Sequence, residues 1–95
     1  MMINTITEIE EKTSTETLVT GPYVLFLQND DYNTFDWVIE CLIDVCEHTY
    51  EQASQCAYIV HYKGRCDVKY GGKDKMSTMK KTLIDRGLSA SIESV

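Results

Sequence analysis

Residues 21–33 read Gly21-Pro22-Tyr23-Val24-Leu25-Phe26-Leu27-Gln28-Asn29-Asp30-Asp31-Tyr32-Asn33, and this stretch decides the fold. Gly21-Pro22 punctuates the chain, and Tyr23 to Leu27 is an unbroken run of apolar and aromatic β-formers. Such a run predicts a strand buried on both faces. The chain then turns polar in a loop dense in Asn and Asp, whose short side chains bond back to nearby N–H groups.

Downstream of the loop the hydrophobic period changes from 2 to 3.6. Asn33 or Thr34 can cap a helix whose first turn holds Asp36, placed to suit the helix dipole. Val38, Cys41, Leu42 and Val45 form its apolar stripe, while Glu40, Asp44 and Glu47 make an acidic face. His48 and Thr49 break the pattern, and Thr49-x-x-Gln52 is a capping box for a second helix with the stripe Ala53, Cys56, Ala57, Val60. That helix ends near 61–64, so the short linker implies a helical hairpin.

Cys66 to Tyr70 alternates apolar and polar, the pattern of a half-buried strand closed by Gly71-Gly72. Lys73 to Arg86 carries Met76, Met79 and Leu83 at helical spacing and stops at Gly87, a C′ glycine. Leu88, Ala90 and Ile92 then alternate with polar residues in a last short strand. The order β-α-α-β-α-β gives an α+β fold, a three-stranded antiparallel sheet packed on three helices. Residues 1–20 are rich in Thr, Ser and Glu without sustained periodicity, and they read as a flexible extension to a domain over 21–95.

The whole chain is 95 residues, 43% hydrophobic and 25% charged, which fits one small domain and excludes a two-domain enzyme. No apolar run approaches the roughly eighteen residues of a membrane span, and the start MMINTITEIEE lacks the features of a secretory signal, so a cytoplasmic protein is expected. A net charge of -6 disfavours nucleic acid and anionic membrane as partners. The charge is segregated: residues 28–62 hold seven acids and no Lys or Arg, whereas residues 63–87 hold eight basic and three acidic side chains. The fold must bring these halves together or aim them at different partners. Cys41, Cys46, Cys56 and Cys66 follow no zinc spacing and are expected as free, mostly buried thiols.

The polar groups with the most chemical content are Asn29-Asp30-Asp31 and His61. The acids leave a buried strand, and His61 stands four residues beyond Ala57 on the same helix face, so loop and helix end can converge. Carboxylate, amide and neutral imidazole all accept hydrogen bonds, which suits a cation. No nucleophile in a recognisable setting and no glycine-rich phosphate loop is present, so no catalytic residue, metal or cofactor is expected.

NDDYNTFDWVIECL at 29–42, followed by EQASQCAYIVHYKGR at 51–65, resembles the ClpS family, adaptors that deliver N-degron substrates to Clp ATPases. There the patterns N-D-D-Y-T-P-x-x-x-V and V-H-x-x-G stand at this separation, and the likeness covers about residues 21–93. The resemblance implies binding of a free, bulky, apolar N-terminal residue (Leu, Phe, Tyr or Trp) and a ClpA- or ClpC-like AAA+ ATPase as partner. It implies that Asn29, Asp31 and His61 hold the α-amino group, and that Asn33, Phe35, Val38, Ala57 and Leu88 line the side-chain pocket. Members usually have Thr-Pro at Asn33-Thr34 and Met at both Phe35 and Ala57, so the pocket here should differ in shape. The acidic segment 1–20 matches the family's variable amino-terminal extension, which takes part in delivery. The alternative is a module of the same fold that docks on a Clp ATPase without reading amino termini. An α-amino group is mostly cationic at neutral pH, so an Asn/Asp/His cradle in the acidic half suits it independently of the resemblance.

Overall fold

The computed structural model describes residues 22–95; the extension read over 1–20 lies outside the described residues. Strand β1 (Tyr23–Gln28) leads into helix α1 (Phe35–Cys46) and helix α2 (Tyr50–Lys63). Strand β2 (Arg65–Gly71), helix α3 (Lys73–Asp85) and strand β3 (Ser89–Ser94) complete the chain. The sheet order is β2-β1-β3 with both pairings antiparallel, so the α+β architecture read from the sequence is the observed one.

Strand β1 is central, and alternation along it separates two faces. Leu25 and Leu27 are fully buried and join Cys66 and Val68 of β2 in the core with Ala90 and Ile92 packed against it. Helix residues Leu42, Ala53, Val60, Met76 and Leu83 complete that core. As expected, β1 is buried on both faces, since Val24, opposite Leu25 and Leu27 and outside their core cluster, is buried too. On the outer face Phe26 is half-buried, with the Arg65 guanidinium 3.8 Å over its ring, and Arg65 continues to Glu93 at 2.9 Å. Side chains of the neighbouring strands shield that face, which is why it tolerates an apolar run.

Thr34 is the N-cap of α1, its side chain accepting from the Trp37 N–H, and Thr49 and Gln52 form both halves of the capping box on α2. The buried residues of α1 are Ile39, Cys41, Leu42 and Cys46, so its stripe is rotated by one residue from the expected one. Val38 and Val45 are half-buried because α1 is wedged between α2, α3 and β2 and presents a broad apolar arc. Cys56 is likewise half-buried, and all four cysteines are free thiols. Burial pushes the Cys46 thiol up to about 11 and, with a Cys56 hydrogen bond, the Cys66 thiol up to about 12, so both pack as apolar groups.

The acidic and basic halves meet across elements. Arg86 pairs with Asp44 at 3.2 Å and Lys69 with Glu47 at 3.6 Å. Pairing of β1 with β2 shifts register between Leu25 and Phe26, leaving Val68 as the extra residue of a β-bulge. Its carbonyl oxygen lies 2.6 Å from His48 Nε2, which must therefore carry the proton and donate. The residue that breaks the helical pattern thus satisfies the bulge.

Candidate functional site

Loop 29–33 is shaped by Asp30. Its carboxylate accepts from the Tyr32 N–H at 2.9 Å, the Asn33 N–H at 3.0 Å and the Asn33 side-chain amide at 2.9 and 3.0 Å. Partial burial pushes the Asp30 carboxyl up, but these hydrogen bonds outweigh it and hold it below its ordinary 3.8. Asp30 is thereby committed to the turn, and its neighbour Asp31 stands exposed at the opening.

Two ties hold the loop against the rest of the domain, and a third holds the first turn of α1 that follows it. The Asn29 N–H donates to the Gly64 carbonyl at 2.9 Å, bringing the end of β1 to the end of α2 where His61 sits. Gly64 supplies the left-handed C-cap there, at φ +97°. The Asn33 amide donates to the Gly87 carbonyl at 2.9 Å, and the Trp37 indole N–H donates to the Arg86 carbonyl at 3.1 Å. At that point α3 ends in a Schellman motif, with Leu88 N–H on Leu83 O at 3.0 Å and Gly87 N–H on Ile84 O at 2.9 Å. Gly87 takes φ +91°, which turns the chain so that buried Leu88 faces the loop.

The result is a cavity of about 340 Å³ lined by Leu27, Gln28, Asn29, Asp30, Asp31, Asn33, Phe35, Val38, Ala57, Val60, His61 and Leu88. All eight site residues expected from the sequence are among these, brought together from two helices, α1 and α2, and two loops. Asn29, Asp31 and His61 are exposed, whereas Ala57, Val60, Leu27 and Leu88 are buried, so acceptor groups ring an apolar interior. Phe35 is 43% exposed beside the opening, and Ala57 is 3% exposed within. Leu27, Gln28 and Val60 line the cavity without having been singled out, and so does Asp30, which was singled out in the polar loop but not among the expected binding residues. Val60 was findable, since it stands three residues beyond Ala57 and directly before His61. Leu27 and Gln28 carry no local signal beyond ending β1.

Such an arrangement can hold a cationic hydrogen-bond donor at the rim and an apolar side chain below it.

A family profile for the ATP-dependent Clp protease adaptor protein ClpS matches residues 20–91, so the chain belongs to the ClpS family of Clp protease adaptors. The ATP-dependent Clp protease adapter protein ClpS of Shewanella loihica is 32% identical over 63 residues, 66% of this chain and 62% of that protein. That of Neisseria meningitidis serogroup A is 42% identical over 43 residues, 45% of this chain and 42% of that protein. This chain thus matches less than two thirds of the length of these relatives. The solved structure of Agrobacterium tumefaciens ClpS2 bound to L-phenylalaninamide superposes with a TM-score of 0.73, covering 76% of this chain and 94% of that one. At 24% identity, that likeness is one of fold.

Proposed function

We propose that this domain binds a polypeptide by its free N-terminal residue, preferring Leu, Phe, Tyr or Trp, and delivers it to a Clp AAA+ unfoldase in the cytoplasm. The observation that carries the reading is the single cavity in which Asn29, Asp31 and His61 at the rim adjoin Phe35, Val38, Ala57 and Leu88. Its volume of about 340 Å³ is at the small end of the roughly 300–1,000 Å³ typical of ligand pockets, suited to one residue rather than a long segment. A protonated α-amine donates to the Asp31 carboxylate, the Asn29 side-chain amide oxygen and a ring nitrogen of His61. The side chain on the same carbon then descends between α1 and α2, where apolar surface leaves water. L-phenylalaninamide, bound by the Agrobacterium protein, combines a free α-amine with a benzyl side chain, and that chemistry fits this cavity. The adaptor family supports Clp-directed delivery and a role without bond breaking.

Charge-assisted hydrogen bonds contribute about 1.5–3 kcal/mol each, so Asp31→Ala or His61→Ala should weaken binding of a Phe-headed peptide by one to two decades. Both side chains are exposed, so both variants should fold, which circular dichroism verifies. Parent-like affinity in either variant would show that the cradle is misassigned.

A further inference from the structure

We propose that Tyr58 and Tyr62 form the subsite for the second residue of the bound polypeptide and select a planar side chain there: Phe, Tyr, Trp or Arg. This rests on the N-terminal-residue reading above and extends it by one position. His61 stands on α2 at the rim of the cavity, and the helical step of about 100° per residue puts Tyr58 and Tyr62 on the adjoining face, one turn apart. The Tyr58 and Tyr62 ring centroids are 4.5 Å apart with planes inclined at 50°. Tyr62 in turn meets the His61 imidazole edge-on, at 4.7 Å and 86°. A continuous aromatic strip therefore runs from the amine cradle outward along the helix.

Both tyrosines remain in water, 57% and 65% exposed, so the core does not account for them. Consecutive Cα atoms are about 3.8 Å apart, so once the first residue is seated its successor lies within reach of the cavity rim, where Tyr62 adjoins the His61 ring. Tyr32, also near the opening, is 92% exposed on a loop and offers no pre-arranged surface of comparable extent. Planar side chains stack offset or edge-on against tyrosine rings, and a guanidinium adds attraction to the ring face. Residues 28–62 carry seven acids and no Lys or Arg, so an arginine there meets no like charge from this segment.

The test is a titration of peptides Phe-X with X = Gly, Ala, Phe or Arg against the full chain and its Tyr58→Ala, Tyr62→Ala and Tyr62→Phe variants. The parent should bind X = Phe and Arg about two- to ten-fold more tightly than X = Gly. That ratio should fall toward one in Tyr62→Ala, shrink in Tyr58→Ala and persist in Tyr62→Phe. A parent that binds Phe-Gly and Phe-Phe equally overturns the subsite and leaves the N-terminal reading standing. A uniform loss across X in Tyr62→Ala, with the ratio intact, also overturns it, because Tyr62 would then act only by positioning His61. A parent that binds none of the peptides removes the N-terminal reading and the subsite with it.

Discussion

The Asn33 side-chain amide donates to the Gly87 carbonyl oxygen at 2.9 Å, joining two positions 54 apart in the sequence. The same amide reaches both oxygens of Asp30, so one side chain couples the turn that presents Asp31 to the turn that presents Leu88. The polar and apolar sides of the cavity are therefore registered through Asn33.

Asn33→Ala removes these bonds and leaves the Gly87 carbonyl without this donor. A net cost of about 1–2 kcal/mol is expected, which lowers the melting temperature of a domain this size by roughly 4–8 °C per kcal/mol. Peptide affinity should fall several-fold as the Leu88 wall loosens. Thermal melting and peptide titration check both, and a parent-like melt would show that Asn33 is not holding the two turns.

Ala57 is buried within the cavity, and Ala57→Met should fill space that now admits a ligand. Each buried CH₂ is worth about 0.8 kcal/mol, so the side chain at 57 governs how much of a ligand can be accommodated. Branching at the β-carbon broadens a side chain near the mouth, so Ile- and Val-headed peptides should lose more affinity than Leu-headed ones in the variant. Equal Ile binding by parent and Ala57→Met would mean that position 57 does not shape the pocket.

Binding should depend on pH through the ligand. A peptide α-amine has an ordinary pKa of about 8, and only its charged form pairs with Asp31, so affinity should drop nearly tenfold per unit well above pH 8. Stability responds at the other end. The Asp30 carboxyl is depressed in the folded state, so it stabilises the fold above its ordinary 3.8, and that contribution disappears as pH falls through the lower folded value. Melts of parent and Asp30→Asn between pH 2 and 5 should differ in slope in that window. Identical slopes would argue against the turn bonds.

Among the described residues the hydrophobic core is drawn from residues 25–88, and residues 1–20 carry no sustained apolar periodicity, so deleting residues 1–18 should leave melting temperature and peptide affinity nearly unchanged. Degradation of a Phe-headed substrate by the partner protease should be impaired. A truncated chain that melts much earlier, or that supports normal degradation, contradicts this division of labour.

Local chemistry made most of the fold legible. The Thr49–Gln52 capping box, the C′ role of Gly87 and the switch of hydrophobic period after Leu27 depend on residues within one turn of each other, and each is observed. The phase of α1 was off by one because Ile39 and Val38 are equally apolar, and only the three elements packed around the helix decide which goes deeper. In the site, the eight expected residues do meet, yet the division between Asp30 and Asp31 was not readable from two identical side chains in adjacent positions. Loop geometry commits the first to backbone N–H groups. The Trp37–Arg86 and Asn33–Gly87 ties span 49 and 54 positions and leave no local pattern. The β-bulge at Val68 is invisible for the same reason, since His48, whose donation satisfies it, lies 20 residues away.

The central claim is that a free α-amino group is read at the rim of this cavity, and acetylation tests it most directly. A Phe-headed peptide and its N-acetyl counterpart differ only in the group that Asn29, Asp31 and His61 are held to grip. Acetylation removes the charge and places a carbonyl against these acceptors. Isothermal titration of the two peptides should show binding of the free amine and at least a hundredfold loss on acetylation; equal affinity for both would contradict the account.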